Sequence, residues 1–123
     1  LARDWAHKIA LTDKVVISGF HSPLEREVYR ILDSHRRPVV VALGRAIYRK
    51  IPPLFHAAYN DHRLLFVSLR NHSRPSLSNS QIRNWAAADL AEEVVFAPFP
   101  PSSALSTLYH TLRLGTTKIV VLE

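Results

Sequence analysis

The sequence predicts an α/β fold built on a mostly parallel five-stranded sheet, and three observations carry that prediction. Short apolar runs rich in β-branched residues recur five times along the 123 residues. Within them apolar and polar residues do not alternate, as expected of strands covered on both faces. Between them, apolar residues step by three and four, the spacing of one helix face.

An opening helix is predicted over about residues 2–10, followed by the strand Val15-Val16-Ile17. Ser22-Pro23-Leu24-Glu25 then has the form of a capping box. Ser22 accepts from a first-turn amide, Pro23 suits the first helical position, and Glu25 reaches back to the Ser22 amide. Leu24, Val28, Ile31 and Leu32 form the apolar stripe of the helix so begun. Val39 to Leu43 is the second strand, a shorter helix follows over 52–59, and Leu64-Leu65-Phe66-Val67 is the third strand. After a long polar loop, Leu69 to Ser80, a helix carries Ile82, Trp85, Ala86 and Leu90. Val94 to Ala97 is the fourth strand. Leu105, Leu108, Tyr109 and Leu112 mark the last helix, and Ile119 to Leu122 the last strand. Repeated strand–helix units with right-handed crossovers imply a three-layer Rossmann-like sandwich. No linker, repeat or low-complexity tract divides the chain, so residues 1–123 read as a single domain.

Composition narrows the function. With 47% hydrophobic residues the chain can fill a core. No apolar run approaches the roughly 18 to 20 residues that cross a bilayer. The absence of Cys excludes disulfide scaffolds and Cys-based zinc sites. The charged opening Leu1-Ala2-Arg3-Asp4-Trp5 has no signal-peptide character, so a cytoplasmic setting is expected. With no Met anywhere, the sequence is expected to begin inside a longer parent or to have lost its start. The seven His show no pair at metal-ligand spacing, and neither a metal nor a cofactor is expected. Phosphate-loop, dinucleotide and nucleophile-elbow motifs are absent.

The net charge of +6, from 16 Lys and Arg against 10 Asp and Glu, favours a polyanionic partner. In such sheets ligands bind beyond the carboxyl ends of the strands, where loops lead into helix N-termini. The loops predicted at that edge, 19–21, 44–53, 69–80 and 98–103, hold Arg45, Arg49, Lys50, Arg70 and Arg74 and no acid. At the opposite edge Lys14, Arg36, Arg37, Arg63 and Lys118 sit among Asp13, Asp33, Asp61, Glu92 and Glu93.

Each loop offers a structural and a functional reading. In Ser18-Gly19-Phe20-His21-Ser22, Gly19 lets a phosphate or sugar approach the backbone and His21 or Ser22 donates to it. Otherwise the turn is simply a helix cap. Gly44 permits a positive φ, while Arg45 and Arg49 offer paired donors to an oxyanion or ion pairs to a neighbouring helix. Arg83 and Asn84 are placed in the first turn of their helix, where a cation opposes the macrodipole and calls for a bound anion. Trp85 reads as core or as a stacking platform for a base. Ser102 or Ser103 is an N-cap with a phosphate-binding option. Acids and bases for catalysis at this edge reduce to His21, His72 and Glu25, so a binder is favoured over a catalyst.

The order of these motifs resembles the Rossmann-like domain of the DNA-processing protein A (DprA/Smf) family, within the SLOG/LOG-like superfamily. Val16-Ile17-Ser18-Gly19-Phe20 resembles its Ser-Gly-Leu-Ala strand end. Val41-Ala42-Leu43-Gly44-Arg45 with Ile51-Pro52-Pro53 resembles its Leu-Gly-x-Gly loop and downstream Tyr-Pro. Arg83-Asn84-Trp85 is similar to the family's Arg-Asn-Arg helix start. Ser102-Ser103-Ala104-Leu105-Ser106-Thr107 is similar to its Ser-Gly-Ser/Ala-Leu-x-Thr turn. The family's opening Gly-Ser-Arg strand is missing, Trp85 replaces an Arg and Ser103 a Gly. The resemblance implies a bacterial, non-catalytic domain that binds single-stranded DNA or a nucleotide phosphate through Ser18, Gly19, Phe20, His21, Ser22, Gly44, Arg45, Arg83, Asn84, Ser102 and Ser103. Phe20 or Trp85 would add stacking.

Ser18 to Glu25 is also similar, in register, to the Gly-Gly-x-Gly-Thr-x-x-Glu motif of LOG-type nucleotide phosphoribohydrolases. In that reading Glu25 activates water for N-glycosidic hydrolysis of a nucleoside monophosphate. A third reading is a degenerate domain kept as a homo-oligomeric interaction module.

Overall fold

A computed structural model of the chain describes residues 1–68 and 79–123. Within these residues, helices and strands alternate as α1 (Ala2–Ala10), β1 (Val16–Ser18), α2 (Pro23–Ser34), β2 (Val39–Leu43), a 3-10 turn (Pro53–Phe55) running into α3 (His56–Asn60), β3 (Leu64–Ser68), α4 (Asn79–Leu90), β4 (Glu93–Phe96), α5 (Ala104–Arg113) and β5 (Lys118–Val121). Every expected element is present, but the strands divide into two parallel sheets rather than one. In the first, β2 lies between β1 and β3, with Val16 opposite Val39 and Val39 opposite Leu64. The second pairs β4 with β5, Glu93 opposite Lys118.

Packing explains the placement. The central strand β2 buries Val39, Val41, Ala42 and Leu43, which is why its sequence is apolar without alternation. On α1 the buried residues Ala2, Ala6 and Ala10 are all small, so this helix lies close against α2. From α2, Val28, Tyr29, Ile31 and Leu32 enter the same core. Around Tyr29 the rings of Phe20 and Phe55 meet it edge to face, with centroids 5.3 and 5.1 Å away. A second, smaller core forms around Ala88, Phe96 and Leu108, with Trp85 packed against it. Trp85 is thus a core residue rather than an exposed stacking surface.

Two helices, α2 and α3, end in a left-handed residue that is not glycine. The Arg37 amide donates to Leu32 O at 3.0 Å and the Arg63 amide to Ala58 O at 2.9 Å. These are the closing bonds of Schellman turns, which place Arg36 (φ 53°) and His62 (φ 57°) in the left-handed region.

At the amino ends of the strands the acids and bases pair. Lys14 and Lys118 both reach Glu93, at 3.9 and 3.2 Å, and Arg36 reaches Asp61 at 3.7 Å. Arg63, whose side chain is 14% exposed, bridges Asp33 at 3.0 Å and Asp61. Burial works against the Arg63 charge, yet its hydrogen bonds to Asp61 and Asp33 outweigh that and raise its pKa. The same hydrogen bond from Arg63 is the main cause holding the Asp61 carboxyl below its ordinary range.

Candidate functional site

The site begins with the turn that leaves β1. Ser18 Oγ accepts from the Phe20 amide at 3.0 Å, and Phe20 adopts φ 49°. A bulky residue seldom takes this conformation; here the turn sends the ring inward, where it is 2% exposed against Tyr29. Phe20 is therefore a core anchor, and its expected role in base stacking is corrected: the ring has no free face to offer.

Next comes the helix cap. The His21 and Ser22 amides donate to Glu25 Oε2 at 2.8 and 3.0 Å, and Ser22 Oγ accepts from the Glu25 amide at 3.2 Å. The predicted capping box is formed in full. It also brings the Glu25 carboxylate to the edge that the loop sequences left free of acid, with one oxygen occupied by two amides.

Gly19 has its own reason to be glycine. A Cβ there would lie 2.9 Å from Cδ and Nε of Arg83. The Arg83 side chain crosses the Gly19 backbone, so the close approach foreseen for a ligand is made by a side chain of the protein itself. Since α4 begins at Asn79, Arg83 is its fifth residue, just past the first turn where it was expected. No glycine has a positive φ, so the conformational role expected of Gly44 is also corrected. The backbone from β2 continues through Gly44 without a left-handed residue.

Arg45 stands at the end of β2. Its guanidinium lies 4.7 Å from the centre of the Tyr48 ring, and its carbonyl accepts from Ser68 Oγ, at the end of β3, at 2.6 Å. A cation over an aromatic face is held in place without losing its charge. Arg49 and Lys50 follow in the same exposed loop. Across the molecule, Ser103 caps α5 by accepting from the Leu105 amide at 3.1 Å, while Ser102 is exposed beside it. Arg70, His72 and Arg74 lie outside the described residues.

A cavity of about 880 Å³ separates β1 from β4. Ser18, Gly19, Phe20, Ser22 and Asn84 all line it, so five of the residues singled out in sequence converge on one crevice. It lies between the two sheets, with β1 of the first and β4 of the second among its walls. Arg83 from α4 lies against Gly19 at the rim of this region, while Arg45 stands in the β2 loop beside Tyr48. Ser102 and Ser103 belong to the separate start of α5.

Sequence reasoning missed two features. His7 Nδ1 and His35 Nε2 meet at 3.2 Å, a contact between residues 28 apart that local spacing cannot show. Among the described residues no group of three or more His, Asp or Glu could hold a metal ion. The second feature is the Tyr29 hydroxyl, buried without a hydrogen-bond partner; burial, with a smaller push from Asp33, raises its pKa to about 12. Its neighbours Phe20 and Phe55 come from distant segments, so no local signal marks it.

No described helix is long and apolar enough to cross a membrane. No protein-family model, curated protein or solved structure matches the chain.

Proposed function

We propose that the chain is a Rossmann-like domain that binds a phosphate-bearing ligand, single-stranded DNA before free nucleotide, at the carboxyl ends of its strands. In this reading the five strands share one layer in the order β3-β2-β1-β4-β5, with helices on both faces. One observation carries it: the crevice beside β1 is lined by Ser18, Gly19, Ser22 and Asn84, with Arg83 across Gly19. An arginine guanidinium with hydroxyl and amide side chains beside it suits an oxyanion. The motif resemblance to the DprA/Smf family favours DNA, and binding is non-catalytic.

The hydrolase reading loses ground because the Glu25 carboxylate serves as a helix cap. Fluorescence anisotropy with a labelled oligonucleotide, beside a panel of nucleotides, tests the proposal. Binding that weakens with salt and falls about ten-fold in Arg83→Ala is expected. No binding of either ligand, together with a stable oligomer, would leave the interaction module in its place. Free base released from a nucleoside monophosphate, and lost in Glu25→Gln, would establish the hydrolase.

A further inference from the structure

We infer that His7 and His35 form a binding site for a single zinc ion, which ties the end of α1 to the end of α2. Neither residue lines the crevice proposed for phosphate, so this site is separate from that one and does not depend on it. His7 Nδ1 and His35 Nε2 stand 3.2 Å apart with their rings at 74°, and both side chains are exposed. Two imidazole nitrogens on one tetrahedral zinc, each about 2.0 to 2.1 Å from the ion, are roughly 3.3 to 3.4 Å from one another. Nitrogens at right angles on a square-planar ion would be closer, at about 2.9 Å. The observed separation therefore fits the tetrahedral ion, and small turns about the side-chain bonds aim both lone pairs at it.

The backbone already holds the two residues side by side. Ala2, Ala6 and Ala10 are the buried residues of α1 and let it approach α2 closely, and Arg3, one turn before His7, pairs with Glu27 at 3.1 Å. The His35 amide donates to Ile31 O at 3.2 Å, within the turn that ends α2. Zinc would thus order two imidazoles that are adjacent beforehand, which lowers the entropy lost on binding.

Charge at the pair also favours a cation. His7 falls in the last turn of α1 and His35 is the residue that ends α2, so both helices direct their carbonyl ends, the negative poles of their macrodipoles, towards the pair. Of the neighbouring cations, Arg36 is drawn to Asp61 at 3.7 Å, and Lys8 lies about 100° further round α1. A hydrogen bond between the rings uses the same atoms, but an exposed bond competes with water and contributes little. Zinc needs only that the proton between the rings move to the outer nitrogen of the ring that carries it, His7 Nε2 or His35 Nδ1. Two protein ligands leave positions for water, so the site is open and weaker than a closed four-ligand one. Imidazole suits copper and nickel as well, and geometry is what selects among such ions.

Calorimetric titration of the full chain with zinc chloride should give one ion per chain. At free zinc about ten times the measured Kd, hydrogen exchange of the α1 amides should slow about ten-fold, because opening of α1 breaks the site. His7→Gln and His35→Gln should each abolish that slowing with far-UV circular dichroism unchanged, since both side chains are exposed. His110→Gln, at an exposed position on α5, should leave it intact, and magnesium, which takes oxygen ligands, should not reproduce it. Zinc binding that survives both substitutions would place the ion elsewhere and overturn the proposal. No binding at all would also overturn it and leave the hydrogen bond as the pair's role. One zinc per two chains, with a dimer in sedimentation, would overturn the one-chain site in favour of an ion bridging two copies.

Discussion

The two ends of the parallel strands surround similar cations with different partners. At the amino ends Lys14, Lys118, Arg36 and Arg63 are held by Glu93, Asp61 and Asp33, and their charge is spent within the fold. At the carboxyl ends Arg45 rests on Tyr48, Arg83 crosses Gly19, and the Glu25 carboxylate is engaged by two amides. The difference teaches that net charge alone does not identify a binding surface. What matters is whether each charge already serves the fold.

The largest effect expected at the carboxyl ends is structural. Phe20→Ala should destabilise by about 3 kcal/mol in urea unfolding, because it opens the aromatic cluster around Tyr29. Phosphate affinity of the folded fraction should be unchanged. If affinity fell in proportion to ring loss, Phe20 would regain its place as a ligand contact.

At the amino ends, Arg63→Ala strips Asp33 and Asp61 of their shared partner and should cost about 2 kcal/mol. The same measurement on Arg45→Ala should show under about 0.5 kcal/mol. Reversal of that order would erase the contrast between the two ends.

Gly19→Ala sharpens it further. The added Cβ must displace Arg83, at a cost of about 1 kcal/mol, and the cost should vanish in the Arg83→Ala background, as a double-mutant cycle would read.

Titration probes two perturbed groups, one at each end of the pH range. Tyr29 has a raised pKa, so the native state keeps its proton where the unfolded chain loses it. Stability is then complete below pH 10.0 and falls as pH rises to about 12. Asp61 has a lowered pKa, so its contribution is present above 3.8 and is lost as pH falls below that value. Alkaline unfolding that coincides with tyrosinate absorbance, and is relieved in Tyr29→Phe, would confirm the first. The smallest change is a gain: His62→Gly should stabilise by about 0.5 kcal/mol by releasing a left-handed residue, as thermal unfolding would show.

Much of the fold was legible because its signals are local. The stripe Leu24, Val28, Ile31 and Leu32, the capping box at Ser22 and Glu25, and the β-branched runs each depend on neighbours a few residues away. The division of the strands into two sheets was not legible, since Val16 and Val94 read equally well as neighbours of any parallel strand. The sorting of charges between the two ends followed from topology, and the amino-end pairs agree with it. Individual roles at the site were harder to read. Gly19 makes room for Arg83 from a helix some sixty residues on, and Phe20 turns inward through a conformation that phenylalanine rarely takes. The Schellman turns at Arg36 and His62 carry no glycine to announce them.

The most direct test is the salt dependence of oligonucleotide affinity for the wild-type chain and Arg45→Ala. About three phosphate contacts should give a slope near −2 in log affinity against log salt, and the variant should flatten it by about 0.7. An affinity indifferent to salt, or a slope that Arg45→Ala leaves untouched, would contradict a phosphate site at the carboxyl ends of the strands.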